Sequence, residues 1–239
     1  MTSLEENIDQ FLKYFRDRVD NVKDGQFGPA SNLFKKILYV GILDALSKTV
    51  SYPNQKNRER FVSLIRNFSN WKYAEKISLP HLVRLLQKVH SPEFSDLRAY
   101  AYEKFDKWVP GNLIELEGDP DFEEVKRIWP STIPKPLERI DINSVQHVHL
   151  FYFYRNSLVH ELRQLGRGID IRREGDPYYY LQDSLDSGKS TWELIYPIGF
   201  YENICNAVID KLRSYYIKDR VDPYTCFTFG SYWIEELNK

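Results

Sequence analysis

The sequence predicts a mainly α protein, a helical bundle with a small β-hairpin inserted in its C-terminal third. Three observations carry that prediction. Apolar residues recur at helical spacing from Leu4 onward, whereas residues alternating or favouring strands around Gly, Asp and Ser turns are confined to about residues 168–196. The chain has 239 residues, 42% of them hydrophobic, which is enough to bury a real core. Its 17 Tyr and 14 Phe stand against a single Met, so that core should be built from aromatic rings. We expect one domain over 1–239, with no internal repeat and no low-complexity segment.

Each element has a local reason. Ser3 followed by Glu6 is a capping box, and Leu4, Ile8, Phe11, Leu12, Phe15, Val19 and Val22 continue on one helical face. After Gly25 to Pro29, SNLFKKILYVGILDALSK is apolar nearly all round and reads as a helix enclosed on most sides. SYPNQ breaks it, and a third helix resumes with Phe61, Leu64, Ile65 and Phe68 on one face. Ser78 with Pro80 opens a fourth, carrying Leu79, Leu82, Val83, Leu85 and Leu86, and SPEFSDLRAYAYEKFDKW opens a fifth.

The pattern fades near 109–143, where Pro110, Pro120, Pro130, Pro134 and Pro136 fall among Gly and acidic residues and predict a long connection, ordered or mobile, in which no regular element is legible. Ser144 then caps a helix running to about Leu165, stopped by Gly166 and Gly168. GIDIRR, DPYYYLQ and STWELIYP form the β segment near 168–196. PIGFYENICNAVIDKLRSYYIK is the last helix, and the tail from Val221 carries some strand character.

Composition narrows the function. The 33 basic residues balance 34 acidic ones, so any polyanion site must be local rather than a property of the whole surface. Two cysteines, Cys205 and Cys226, lack metal-type spacing and are too few for a secreted disulfide framework, which points to a reducing cytosol. The amino terminus, MTSLEENIDQ, is acidic where a signal peptide is basic, and no run approaches the roughly 18 apolar residues of a membrane span. A cytoplasmic protein without membrane partners is expected.

The chemistry concentrates on one helix. On a wheel of about 100° per residue, Val148, Phe151, Tyr152, Tyr154, Leu158, Val159 and Leu162 fill a broad sector, and His149, Asn156, His160 and Arg163 line the opposite stripe. Arg155 points into the middle of the apolar sector. A buried guanidinium needs a carboxylate, a phosphate or a route to water. Asp44 has the complementary oddity, an acid inside KILYVGILDALSK, and is the candidate supporting acid.

The string RNSLVH, from Arg155 through Asn156 to His160, resembles the signature of the HEPN superfamily, helical nucleotide- and RNA-binding domains that carry Arg, four to six residues, then His. The resemblance covers one helix of about 20 residues within a compatible helical surround. It implies a metal-independent endoribonuclease without cofactor, such as those of toxin–antitoxin or phage-defence systems, working as a homodimer whose two motif helices share a cleft. RNA and a cognate antitoxin protein are the partners it implies.

The residues suit that chemistry. Cleavage by the 2′-hydroxyl needs a base, an acid and a cation for the pentavalent phosphorus. Imidazole is the side chain whose ordinary pKa lies closest to neutrality, which fits His160 to the first or second role. Arg155 can hold the phosphate through two donors, and Asn156 lies on the His160 face. Arg163, Arg172 and Arg173, beside three tyrosines, are candidate RNA-binding residues, although neighbouring acids dilute their charge and a solvated hairpin with a buried tyrosine-rich strand is the better account of them.

Blander readings compete with these. A lone helical His is more often solvated than catalytic, a buried Arg–Asp pair is more often structural, and several HEPN-type domains bind without cutting. The alternative is therefore a non-catalytic helical module for RNA, nucleotide or protein. His149 is given no functional role. His147 and His149 would point about 200° apart on a helix, a poor chelate, so no metal is expected. There is no Walker, GxSxG or HExxH pattern.

Overall fold

The computed structural model describes residues 3–50, 55–166, 175–183 and 190–227. Among these, eight α-helices and one three-stranded sheet make the protein mainly helical. Contacts group the chain into two compact units, residues 1–70 with 202–239 and residues 71–201.

The first unit holds α1 (Leu4–Asp24), α2 (Ser31–Ser47), α3 (Asn57–Phe68) and most of α8 (Ile198–Asp219). The Ser3–Glu6 capping box closes α1 as predicted, satisfying two backbone N–H groups that a helix start leaves open. Ile8 and Val19 of α1, Val40 and Leu43 of α2, Leu64 of α3, and Val208 and Leu212 of α8 are completely buried. The helix predicted to be enclosed on most sides leaves one stripe open, where Phe34 and Leu38 of α2 are 44% and 41% exposed. Cys205 is buried, its thiol donating to the Tyr39 carbonyl at 3.7 Å, while Cys226 is exposed.

In the second unit α4 (Leu79–Lys88) and α5 (Ser95–Phe105) pack into one cluster with Ile77, Val125 and Trp129. The proline-marked stretch 109–143, in which no regular element is legible from the sequence, contains β1 (Ile114–Glu115) and α6 (Phe122–Ile128), with Leu116 and Val125 fully buried. Elements of two and seven residues between prolines are too short to display a period. β1 joins antiparallel β2 (Tyr178–Asp183), which pairs with β3 (Ser190–Ile195) from Tyr178–Ile195 to Asp183–Ser190. DPYYYLQ and STWELIYP thus contain strands, and GIDIRR lies outside the described residues. In the tail, Pro223–Cys226 form a 3-10 turn rather than a strand; residues 228–239 lie outside the description.

The motif helix α7 (His147–Glu161) starts and ends differently from the expectation. Ser144 is not its cap: Asp141 caps a preceding 3-10 turn, and Ser144 is the reciprocal partner in that box. The first N–H groups of α7 are satisfied from elsewhere, His147 donating to the Lys76 carbonyl at 3.1 Å and Val148 to that of Ala74 at 2.8 Å. A helix docked on another segment's carbonyls needs no side-chain cap. It ends at Glu161 rather than Leu165, because Leu162 adopts the left-handed conformation at φ 53°.

Both units bury tyrosines deeply. Burial pushes the phenols of Tyr39 and Tyr216 up in the first unit and those of Tyr179 and Tyr196 in the second. In the unfolded chain these groups ionise at about pH 10. Their contribution to stability is complete below that pH and is lost as the pH climbs toward the raised folded values. Denaturant unfolding followed from pH 9 to 11 should show stability falling by about 1.4 kcal/mol per pH unit for each such tyrosine once past about pH 10. A flat profile would contradict the burial.

Candidate functional site

α7 buries Val148, Phe151, Tyr154, Arg155 and Leu158 along one arc. Phe151 is the centre of a ring cluster, with Tyr196 at 5.2 Å, Phe200 at 5.4 Å, Tyr201 at 5.6 Å and Trp71 at 6.0 Å between centroids. Such offset and edge-on pairs add to the area buried. They fix the rotation of α7 and thereby the direction of every polar residue on it.

Arg155 sits in the apolar arc as predicted, 8% exposed. One terminal nitrogen donates to Asn156 Oδ1 at 2.9 Å and meets His160 Nε2 at 3.3 Å. Arginine can only donate, so Nε2 of His160 is the acceptor and its ring proton resides on Nδ1. The guanidinium carbon also lies 5.8 Å from the Tyr152 ring centroid, within the range of a cation–π contact. His160 is exposed and Asn156 half-buried. The three motif residues therefore converge on one surface-accessible spot.

The turn after the helix is tied back onto it. The Ser157 hydroxyl donates to the Arg163 carbonyl at 3.0 Å, and the Tyr154 hydroxyl donates to Gln164 Oε1 at 2.8 Å. Because the helix stops at Glu161, Arg163 leaves the predicted stripe. Its guanidinium pairs with Glu161 at 2.6 Å on the open surface, where ion pairs contribute little. Arg172 and Arg173 lie outside the described residues. Asp44 is half-buried on α2 of the first unit, and its carbonyl accepts from the Ser47 hydroxyl at 2.7 Å. Leu162 in the left-handed region strains the β-carbon for no packing return, being 62% exposed. Leu162→Gly should raise the unfolding free energy by about 0.5–1 kcal/mol in thermal melts; a loss of stability would mean that the leucine is held by contacts.

A second polar cluster, which the sequence did not reveal, lies inside the second unit. Asp119, on the former connection, is 2% exposed and His147 is completely buried. His147 Nε2 lies 2.6 Å from Asp119 Oδ2, and the Tyr179 hydroxyl lies 2.7 Å from the same oxygen. The Leu79 N–H donates to Asp119 Oδ1 at 3.1 Å, so this carboxylate caps α4 in place of Ser78. Ser78 instead joins Tyr179 at 2.8 Å and His81 Nδ1 at 2.7 Å. Read singly, Ser78 signals a helix start and His147 a poor chelate. No spacing along the chain announces that residues 78, 81, 119, 147 and 179 meet.

No protein family, curated protein or solved structure matches the chain. Among the described residues, no helix is long and apolar enough to cross a membrane.

Proposed function

We propose that the protein is a metal-independent endoribonuclease of HEPN type, with Arg155, Asn156 and His160 as its catalytic set. The observation that supports this reading is the meeting of the Arg155 guanidinium with both the Asn156 amide oxygen and His160 Nε2 on one accessible spot. A phosphodiester arriving there would take the arginine's donors and release the His160 lone pair. His160 then removes the proton of the 2′-hydroxyl, or protonates the departing 5′-oxygen, while Arg155 neutralises the charge gathering on phosphorus. Attack of the 2′-oxygen expels the 5′-oxygen and leaves a 2′,3′-cyclic phosphate. One chain supplies one imidazole, so a homodimer that brings two α7 helices together would provide separate base and acid. Arg163, with Arg172 and Arg173, would steer the RNA. A place in a toxin–antitoxin or phage-defence system, with a cognate antitoxin protein, belongs to the same proposal.

The test is cleavage of RNA by the purified protein in EDTA, beside His160→Ala and Arg155→Ala. Cleavage that persists in both variants, or occurs with none of the three proteins, sinks the assignment. The deep seat of Arg155, 8% exposed, favours a second reading in which it anchors RNA, nucleotide or a partner protein without reaction. Binding that survives His160→Ala but not Arg155→Ala, with no product, would establish that reading.

A further inference from the structure

The buried cluster of Asp119, His147, Tyr179 and Ser78 does not end in the interior. It ends on His81, an exposed residue that lines a cleft of about 800 Å³. The cleft lies within the second unit and is lined by His81, Arg84, Phe105, Leu181, Thr191 and Trp192, among others. A smaller recess of about 390 Å³ shares His81 and Trp192 and contains Glu193. The larger volume falls within the usual range for small-molecule sites.

Counting protons fixes what His81 presents to that cleft. Tyr179 has one phenolic proton and two oxygen neighbours, Asp119 Oδ2 at 2.7 Å and Ser78 Oγ at 2.8 Å. The carboxylate has none to give and accepts from Tyr179, as it accepts from His147 and the Leu79 N–H. Tyr179 must then accept from Ser78, and Ser78, having spent its proton, accepts from His81 Nδ1. Every contact is satisfied when the protons run one way, from His81 to Asp119. The lone pair of His81 is then on Nε2. The protein packed against one side of the ring lowers its pKa, His147 adding to the fall and Asp119 opposing it, so at neutral pH the ring is an acceptor.

The walls add two further requirements. Phe105 and Trp192 line it as aromatic rings, and Trp108 packs nearly perpendicular to Trp192 with centroids 5.1 Å apart. Arg84 is the lone formal charge among the described residues lining the larger cleft, which include no carboxylate, and its NH1 donates to neutral Gln87 at 3.1 Å. An apolar slot with one cation and one aimed acceptor selects a flat, anionic ligand with a proton to donate.

We propose that this cleft binds a small aromatic acid bearing a hydroxyl or N–H donor, its anion on Arg84, its ring between Phe105 and Trp192, and its donor on His81 Nε2. Isothermal titration of the full chain with 4-hydroxybenzoate tests it. Saturable one-to-one binding is expected, weakened at least tenfold in Arg84→Ala and in His81→Phe, both surface positions, with folding checked by circular dichroism. 4-Methoxybenzoate, which keeps the acid and loses the donor, should also bind at least tenfold more weakly. No saturation by about 10 mM, or affinity indifferent to both variants and to the methyl cap, overturns the proposal. Displacement of the probe by a short RNA would overturn it too, by making the cleft part of a nucleic-acid path. Heat of binding is independent of RNA cleavage, so the result stands apart from the fate of the nuclease reading.

Discussion

Arg155→Ala is expected to reduce RNA cleavage about a thousandfold or more. The guanidinium would supply the fixed positive charge for the transition state, and one such preorganised donor is typically worth about 10² to 10³ in rate. Its removal also releases Asn156 and His160 from the guanidinium that both contact, so both groups lose orientation together. Arg155→Lys keeps the charge but replaces a planar fork by a point donor, and should recover little. His160→Ala, which removes one proton-transfer group, should cost about 10² to 10⁴. Single-turnover cleavage of a labelled RNA, with product ends assigned as cyclic phosphate or hydroxyl, reads all three. If Arg155→Lys cuts like the parent, the positioning role assigned to the fork is wrong. Equal melting temperatures of parent and Lys variant would separate chemistry from folding.

The largest effect on stability is expected at Asp119. Asp119→Ala removes the acceptor of three donors in one step: the Leu79 N–H at the start of α4, the His147 ring and the Tyr179 hydroxyl. Breaking a buried pair by deleting one partner typically costs about 3–5 kcal/mol, because the groups left behind have surrendered their water. Tyr179→Phe removes one hydroxyl and should cost only about 1 kcal/mol. In a chain of this length 3–5 kcal/mol corresponds to a fall of about 10 °C in melting temperature. A change below about 1 kcal/mol in Asp119→Ala would mean that water replaces the carboxylate and that the cluster is less closed than its distances imply.

How far the sequence carried differed by element. Helices with an unambiguous period were legible: α1 from its capping box to Val22, α3 from Phe61 to Phe68, α4 from Pro80 onward. The motif helix was legible in its existence and in the anomaly of Arg155, since a guanidinium in an apolar arc is visible on a wheel. Its ends were not, because the start is satisfied by the carbonyls of Lys76 and Ala74, far along the chain, and the stop is a leucine in a conformation that glycine usually takes. Of the candidate site, Arg155, Asn156 and His160 were read from local spacing and do converge. Arg163 was placed on the wrong side of a helix end. The Asp119 cluster was invisible, for buried polar networks are made by long-range closure and leave no periodic trace.

The two thiols now acquire a practical meaning. Burial raises Cys205 out of reach of ordinary alkylating reagents, while Cys226, also raised but exposed, remains open to them at mildly alkaline pH. A nitroxide attached without mutagenesis would therefore mark a single position beside the end of α8. If the chain pairs with itself, pulsed electron resonance between two such labels would report one sharp inter-spin separation, and a solitary chain would give none.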